Sequence, residues 1–291
     1  MRLGVHISIA GGLLKAIERA RKLECTTMQI FSRSPRGGPA PTFPDDDIVA
    51  FQAQRAEAGI FPLAVHCPYI INLASSTPQV WAQSAALYRD EYHRCQRIGA
   101  QYLVTHVGSH RGGGERIGMQ RVAEALNCAV AQAPASVMML LENTAGSGQG
   151  LGYTFEQLLA IRNQVTNKQA VGICLDTAHL FASGFPIHTA DGLDEVLHRF
   201  DAVIGFEHLK LIHLNDSKSG FNSRVDRHWH IGQGQIGLEA MCRIVNHPQL
   251  SNVPMILETP KKQEDDDPRN LAIVRSLRAS KAHGAVSALR P

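Results

Sequence analysis

Residues 137–143 read Val-Met-Met-Leu-Leu-Glu-Asn, five apolar side chains without interruption and then a carboxylate and an amide. A continuous apolar run of this length suits a parallel strand buried on both faces. Similar runs recur at Leu3–Ile7, Thr27–Phe31, Leu63–Cys67, Tyr102–Val107, Val171–Leu175, Leu209–Leu214 and Val253–Leu257. Each is followed by a polar loop and a segment of helical periodicity, for example Trp81 to Ile98 and Arg116 to Ala131. Eight strand–helix units predict an α/β protein with the (β/α)8 architecture of a TIM barrel. An open doubly wound sheet is the alternative arrangement of the same units. No linker of low complexity and no further repeat divides the chain, so a single domain over residues 1–283 is expected, with residues 284–291 as a C-terminal tail.

Composition narrows the class of protein. Hydrophobic residues make up 44% of the 291 and charged residues 19%, without like-charge blocks, which fits a soluble globular enzyme rather than a disordered or fibrous chain. The opening MRLGVHISIA reads as a strand and not as a signal peptide, and no apolar run approaches the roughly 18 residues that span a bilayer. A cytoplasmic protein with no membrane partner is expected, with no obligate protein partner and a monomer as the default. The six cysteines are scattered without a C-x-x-C pair and read as reduced core residues. The net charge of +3 neither demands nor excludes nucleic acid. After Asp267 the chain has five basic residues and no acid, which reads as a solvated terminal helix and tail.

The positions of the His, Asp and Glu residues point to chemistry. Six runs end on a potential metal ligand: His66, His106, Glu142, Asp176, His213 and Glu258. Barrel enzymes place their active sites at that end of the strands. One such His alone would more often be a hydrogen-bonded core residue. Six ionisable groups converging on one buried mouth would instead carry a heavy desolvation cost unless cations lay among them. His179 follows Asp176 by three residues, and Asp226 and His228 share one side of an extended segment, giving nine candidate ligands. Nine exceed the needs of one tetrahedral ion. Mixed His and carboxylate ligands without thiolate favour catalytic zinc or manganese, and several neighbouring ions suit in-line displacement at phosphorus.

Six segments carry a specific resemblance: His6-Ile-Ser-Ile-Ala-Gly-Gly12, His66-Cys-Pro-Tyr-Ile-Ile-Asn-Leu73, Glu142-Asn-Thr-Ala-Gly146, Leu175-Asp-Thr-Ala-His-Leu-Phe-Ala-Ser-Gly184, His213-Leu-Asn-Asp-Ser-Lys218, and Val225-Asp-Arg-His228 with Ile231-Gly-Gln-Gly-Gln-Ile-Gly237. Together, in this order, the chain resembles the endonuclease IV family. The resemblance implies a DNA-repair endonuclease that cleaves 5′ to abasic sites in double-stranded DNA, leaving a 3′-hydroxyl and a 5′-deoxyribose phosphate. It implies three zinc ions, with manganese an alternative occupant. His66, His106 and Glu142 would hold the first, and Glu142, Asp176, His213 and Glu258 the second. His179, Asp226 and His228 would hold the third. Glu142, as the bridge, would be the catalytic residue. DNA contacts are implied for Arg36, Tyr69, Ile70 and Arg227. The chain departs from the family pattern after Arg36, where Gly37-Gly38-Pro39-Ala40-Pro41 replaces a usual aromatic. It departs again at Asn222, where Gly is common and where Asn can adopt the same left-handed turn. His230 is an extra imidazole, expected beside the third ion or at the surface rather than as a ligand.

Two other functions compete. Related barrels that isomerise or epimerise sugars use one divalent ion held by Glu, Asp, His and Glu at positions matching Glu142, Asp176, His213 and Glu258. The further set His66, His106, His179, Asp226 and His228 is more than such a site needs. A DNA-binding protein with purely structural zinc would have Cys-rich ligands, which are absent from the candidate set.

Overall fold

The computed structural model describes residues 1–131 and 136–284. Its barrel strands are β1 Leu3–Ile7, β2 Met28–Ile30, β3 Leu63–His66, β4 Tyr102–His106, β5 Met138–Glu142, β6 Val171–Asp176, β7 Leu209–His213 and β10 Met255–Leu257. All eight run parallel and close into a ring in the order β1-β10-β7-β6-β5-β4-β3-β2. The two remaining strands, β8 Asp216–Ser217 and β9 His228–Trp229, form an antiparallel pair outside the barrel. The single-domain (β/α)8 expectation is thus met, and every apolar run becomes a barrel strand.

Side chains alternate between the two faces of a strand, so six of the eight runs serve two cores. Val65, Leu103, Leu141, Ile173, Leu175, Ile212 and Leu257 join the large core between barrel and helices. Ala64, Val104, Leu140, Cys174, Leu211 and Ile256 form a separate compact cluster inside the barrel. Inward space is scarce where the ring closes: a Cβ on Gly4 of β1 would come 1.9 Å from the Thr27 carbonyl oxygen.

The outer layer consists of α1 Leu13–Lys22, α2 Asp45–Glu57, α3 Pro78–Ile98, α4 Glu115–Val130, α5 Phe155–Gln164, α7 Ala190–Val203, α8 Leu238–Asn246 and α9 Asp266–Gly284. A short helix, α6 Thr177–Ala182, follows β6 directly. Among the described residues no helix is long and apolar enough to cross a membrane. All six cysteines are free, but Cys128 is exposed on α4 and Cys242 is only part-buried, so the expectation of six core cysteines holds for four. Of the basic residues after Asp267, Arg275 donates to the carbonyls of Leu23 and Glu24, and Arg278 to that of Val245. These guanidiniums tie α9 to α8 and to the turn after α1, so they are not the merely solvated groups expected. The tail expected from residue 284 falls, but for Gly284 itself, outside the described residues.

Candidate metal centre

Each strand-end candidate stands two residues beyond a member of the inner cluster: His66 above Ala64, His106 above Val104, Glu142 above Leu140, Asp176 above Cys174, His213 above Leu211 and Glu258 above Ile256. The period of two that buries the small apolar residue also turns the next inward residue to the barrel mouth. The pleat therefore brings six residues from six strands to one place.

Glu142 is fully buried at the centre. Its Oε2 lies 3.2 Å from His66 Nε2 and 3.0 Å from His106 Nε2, and its Oε1 3.0 Å from His213 Nδ1. His179 Nδ1 is 3.4 Å from the same Oε1. Three groups each offer one ligand atom per residue with all atoms within 4.8 Å: His66, His106 and Glu142; Glu142, Asp176, His213 and Glu258; and Asp176, His179 and His228. The first two match the expected sets. The third differs in membership, because Asp176 closes it. Asp226 approaches from the exposed side, 3.1 Å from His179 Nε2 and 3.4 Å from His228 Nε2.

A short helix and a hairpin beyond the barrel strands supply the rest. Asp176 caps α6 by accepting from the His179 N–H at 2.8 Å, which puts His179 on the first helical turn. The β8–β9 hairpin brings in Asp226 and His228. It is anchored by Asp216, a buried carboxylate that sequence reasoning passed over. Its oxygens accept from the backbone N–H groups of Ser217, Gly232, Gly234 and Ile236 at 2.8–3.0 Å. Gly232-Gln-Gly-Gln-Ile-Gly237 has the spacing of a dinucleotide-binding turn before α8, yet its N–H groups are turned onto Asp216. A Cβ on Gly234 would lie 2.4 Å from Asp216 Oδ1. Asn143 and Asn215 were also missed as supports. Asn143 exchanges amide hydrogen bonds with the Asp176 backbone, and Asn215 joins the Asp176 carboxylate, at 2.6 Å, to the Glu258 N–H, at 2.7 Å.

Hydrogen bonds on the outer nitrogens set which atom each imidazole presents. The Nδ1–H of His66 donates to the Cys67 carbonyl at 2.7 Å, that of His179 to Asn143 at 2.9 Å, and that of His228 to Glu258 at 3.2 Å. Their Nε2 lone pairs then face the mouth. Among the described residues the Nε2 atoms of His179 and His228 are buried and make no well-aligned hydrogen bond, although Asp226 oxygens lie 3.1 and 3.4 Å away. Unpartnered buried lone pairs beside carboxylates, all nitrogen and oxygen donors, fit zinc or manganese as ligands.

Charge is strongly coupled. Burial opposes ionisation of Glu142, but the neighbouring imidazoles of His106 and His213 outweigh it and hold its pKa well below the carboxylate range. Glu258 behaves likewise, against burial, through His213 and His6. Asp226 is drawn down to about 2, burial being overcome by His179 and His228. Burial disfavours the imidazolium of His179, yet Asp176, Asp226 and Glu142 push its pKa well above 6.5.

Around the mouth, Arg36, Tyr69, Ile70 and Arg227 are all exposed. Tyr69 and Ile70 expose 64% and 48% of their surface, unusual for such side chains. The loops of Arg36 and Ile70 meet, since a Cβ on Gly37 would lie 3.3 Å from Ile70 Cδ1. Asn222 adopts φ 56°, the left-handed turn expected of it. His230 is buried against Asn270 and stands outside the three ligand groups. A cleft of about 1250 Å³ runs from Tyr69, Phe31 and Glu258 past His6 to Arg19 and Lys261. A second, of about 330 Å³, opens over His66, His106, His179 and Asp226.

Comparison with known proteins follows the same lines. The model of the xylose isomerase-like TIM barrel family matches residues 17–283. A probable endonuclease 4 of Halothermothrix orenii is 43% identical over 96% of this chain and 99% of its own length. One of Methanosphaerula palustris is 42% identical over 97% and 100%. The crystal structure of endonuclease IV from Thermus thermophilus superposes with a TM-score of 0.86 at 34% identity, covering 96% of this chain and all of that one.

Proposed function

The chain belongs to the xylose isomerase-like TIM barrel family and, within it, to the endonuclease 4 proteins, and from that premise we propose that it cuts double-stranded DNA 5′ to abasic sites with three bound zinc ions. It is a DNA endonuclease, a phosphodiester hydrolase of DNA repair. The products would be a 3′-hydroxyl and a 5′-deoxyribose phosphate. What carries the reading is the convergence of three ligand groups that share Glu142 and Asp176.

Adjacent groups with a common carboxylate are the arrangement that phosphodiester cleavage needs and that a one-metal sugar isomerase does not. His66, His106 and Glu142 would hold one ion, Glu142, Asp176, His213 and Glu258 the second, and His179 and His228 with Asp226 the third, Asp176 standing within reach of the last two. Bound there, the ions would supply Lewis acidity toward the phosphate and an acidified water. The chain itself positions the substrate. Tyr69 and Ile70 would fill the gap left by the missing base, since an abasic nucleotide is turned out of the stack at lower cost than a paired one. Arg36 and Arg227 would pair with phosphates and fix register.

The test is metal analysis of the purified protein coupled to cleavage of a duplex with one abasic analogue. Close to three zinc equivalents, and cleavage abolished by chelation and restored by zinc, are expected. One equivalent in protein that leaves the duplex intact would favour the isomerase reading.

A further inference from the structure

Three imidazoles of the centre are fixed by backbone carbonyls on Nδ1, but His213 is turned the other way. Its Nδ1 faces the carboxylates, 3.0 Å from Glu142 Oε1 and 3.2 Å from Glu258 Oε2, while Nε2 lies 2.9 Å from Oε1 of Gln29. Gln29 is the fully buried middle residue of β2. The other end of its amide is settled by chemistry. Nε2 of Gln29 lies 2.6 Å from Glu258 Oε1, and an ionised carboxylate only accepts, so the amide NH2 must be there. The amide oxygen then faces His213 and accepts from its Nε2, which must carry the proton. A cation among Glu142, Asp176 and Glu258 would then meet the remaining nitrogen of His213, Nδ1, as its lone pair.

We infer that Gln29 is a positioning residue for the cation held by Glu142, Asp176, His213 and Glu258, fixing the tautomer of His213 and the rotamer of Glu258 together. The inference rests on the metal reading above. The second N–H of the same amide donates to His6 Nδ1 at 3.0 Å, so His6 carries its proton on Nε2. That atom is buried, has no hydrogen-bond partner among the described residues, and belongs to a residue lining the larger cleft. One side chain thereby sets the tautomers of two imidazoles, turning Nδ1 of His213 toward the cation and the N–H of His6 away from Gln29. Nothing in the run Thr27–Phe31 marks Gln29 for this, because its partners lie on β1, on β7 and just beyond β10.

The experiment compares the parent with Gln29→Leu, which has similar bulk and no polar atoms. Zinc affinity is measured by competition with a chromophoric chelator, and imidazole tautomers by 15N NMR of the zinc-loaded proteins. The parent should show His213 protonated on Nε2. The variant should bind one zinc equivalent about 10- to 100-fold more weakly, keep the others, and lose the Nε2–H signature of His213. Gln29→Met serves the same comparison if the Leu variant does not fold. Unchanged affinity in the variant would overturn the inference, and so would weakened binding with an unchanged tautomer, since packing alone would then account for it. A parent that binds no zinc would remove the metal reading first, a result distinguishable from either.

Discussion

Glu142 meets four imidazoles with two oxygens, and the sign of their coupling fixes how the centre responds to acid. In the metal-free protein the pKa of His179 is raised, so its favourable pairing is fully present below about pH 6.5 and is lost as pH rises through the folded value. Glu142 and Glu258 are depressed, so theirs is present above about pH 4.3 and lost as pH falls. Metal-free protein should therefore melt highest between those limits and at lower temperature by pH 8.5. Zinc binding must displace protons, so the stabilisation by zinc should instead grow with pH across the same range. Calorimetric melts with and without zinc check both slopes, and parallel slopes would contradict the assignment. At the same scale, His66→Ala or Asp226→Ala should leave the circular dichroism spectrum native while lowering cleavage by orders of magnitude. Both residues stand above the inner cluster rather than in it. Unfolding of both, without rescue by zinc, would make the ions structural.

The loops are held by charges buried beneath them. Arg33 pairs with Glu91 of α3, Ser32 donates to the same carboxylate at 2.7 Å, and Arg94 reaches back to the Ser32 carbonyl. Glu91→Ala would take away the buried partner of the Arg33 guanidinium and leave it only the exposed Asp90 carboxylate, and should destabilise the protein by about 1–3 kcal/mol in denaturant titrations. Arg36 rides on the loop so anchored. Arg36→Ala and Tyr69→Ala should weaken binding to abasic duplex more than they slow single-turnover cleavage at saturating enzyme. Arg36→Ala should also lower the slope of log affinity against log salt by about one. Parent-like binding by both variants across a salt series would assign the duplex opening to another surface. Strand-end ligands were legible in the sequence because each follows an apolar run. Asp216 was not, because its partners lie 16 to 20 residues away in a loop without periodicity. The β8–β9 hairpin escaped for a related reason: with two residues per strand it offers no alternation to read.

At the scale of the molecule, the alternation of apolar runs with helical segments was enough to give the barrel, since few architectures bury eight two-faced strands. The grouping of ligands was less accessible, because it depends on the stagger between strands. His106 pairs in register with Glu142, and Asp176 with His213, whereas His66 lies beside Val104. That stagger, invisible in one sequence, lets Glu142 reach both the β3–β4 side and the β7–β10 side.

Closure of the ring pairs Leu3 with Met255, so the first and last strands to be synthesised are neighbours. The ligands consequently become available in a fixed time order. His66 and His106 emerge early, whereas the group containing Glu258 is incomplete until the eighth barrel strand has docked. Contacts of such long sequence separation form late in folding, after most of the entropy of loop closure has been lost. Zinc should then act on the lifetime of the finished barrel and not on the rate of reaching it. Stopped-flow traces with and without zinc should show unfolding slowed in its presence and refolding unchanged, and a refolding rate that rises with zinc would mean that the metal recruits its ligands before the ring is shut.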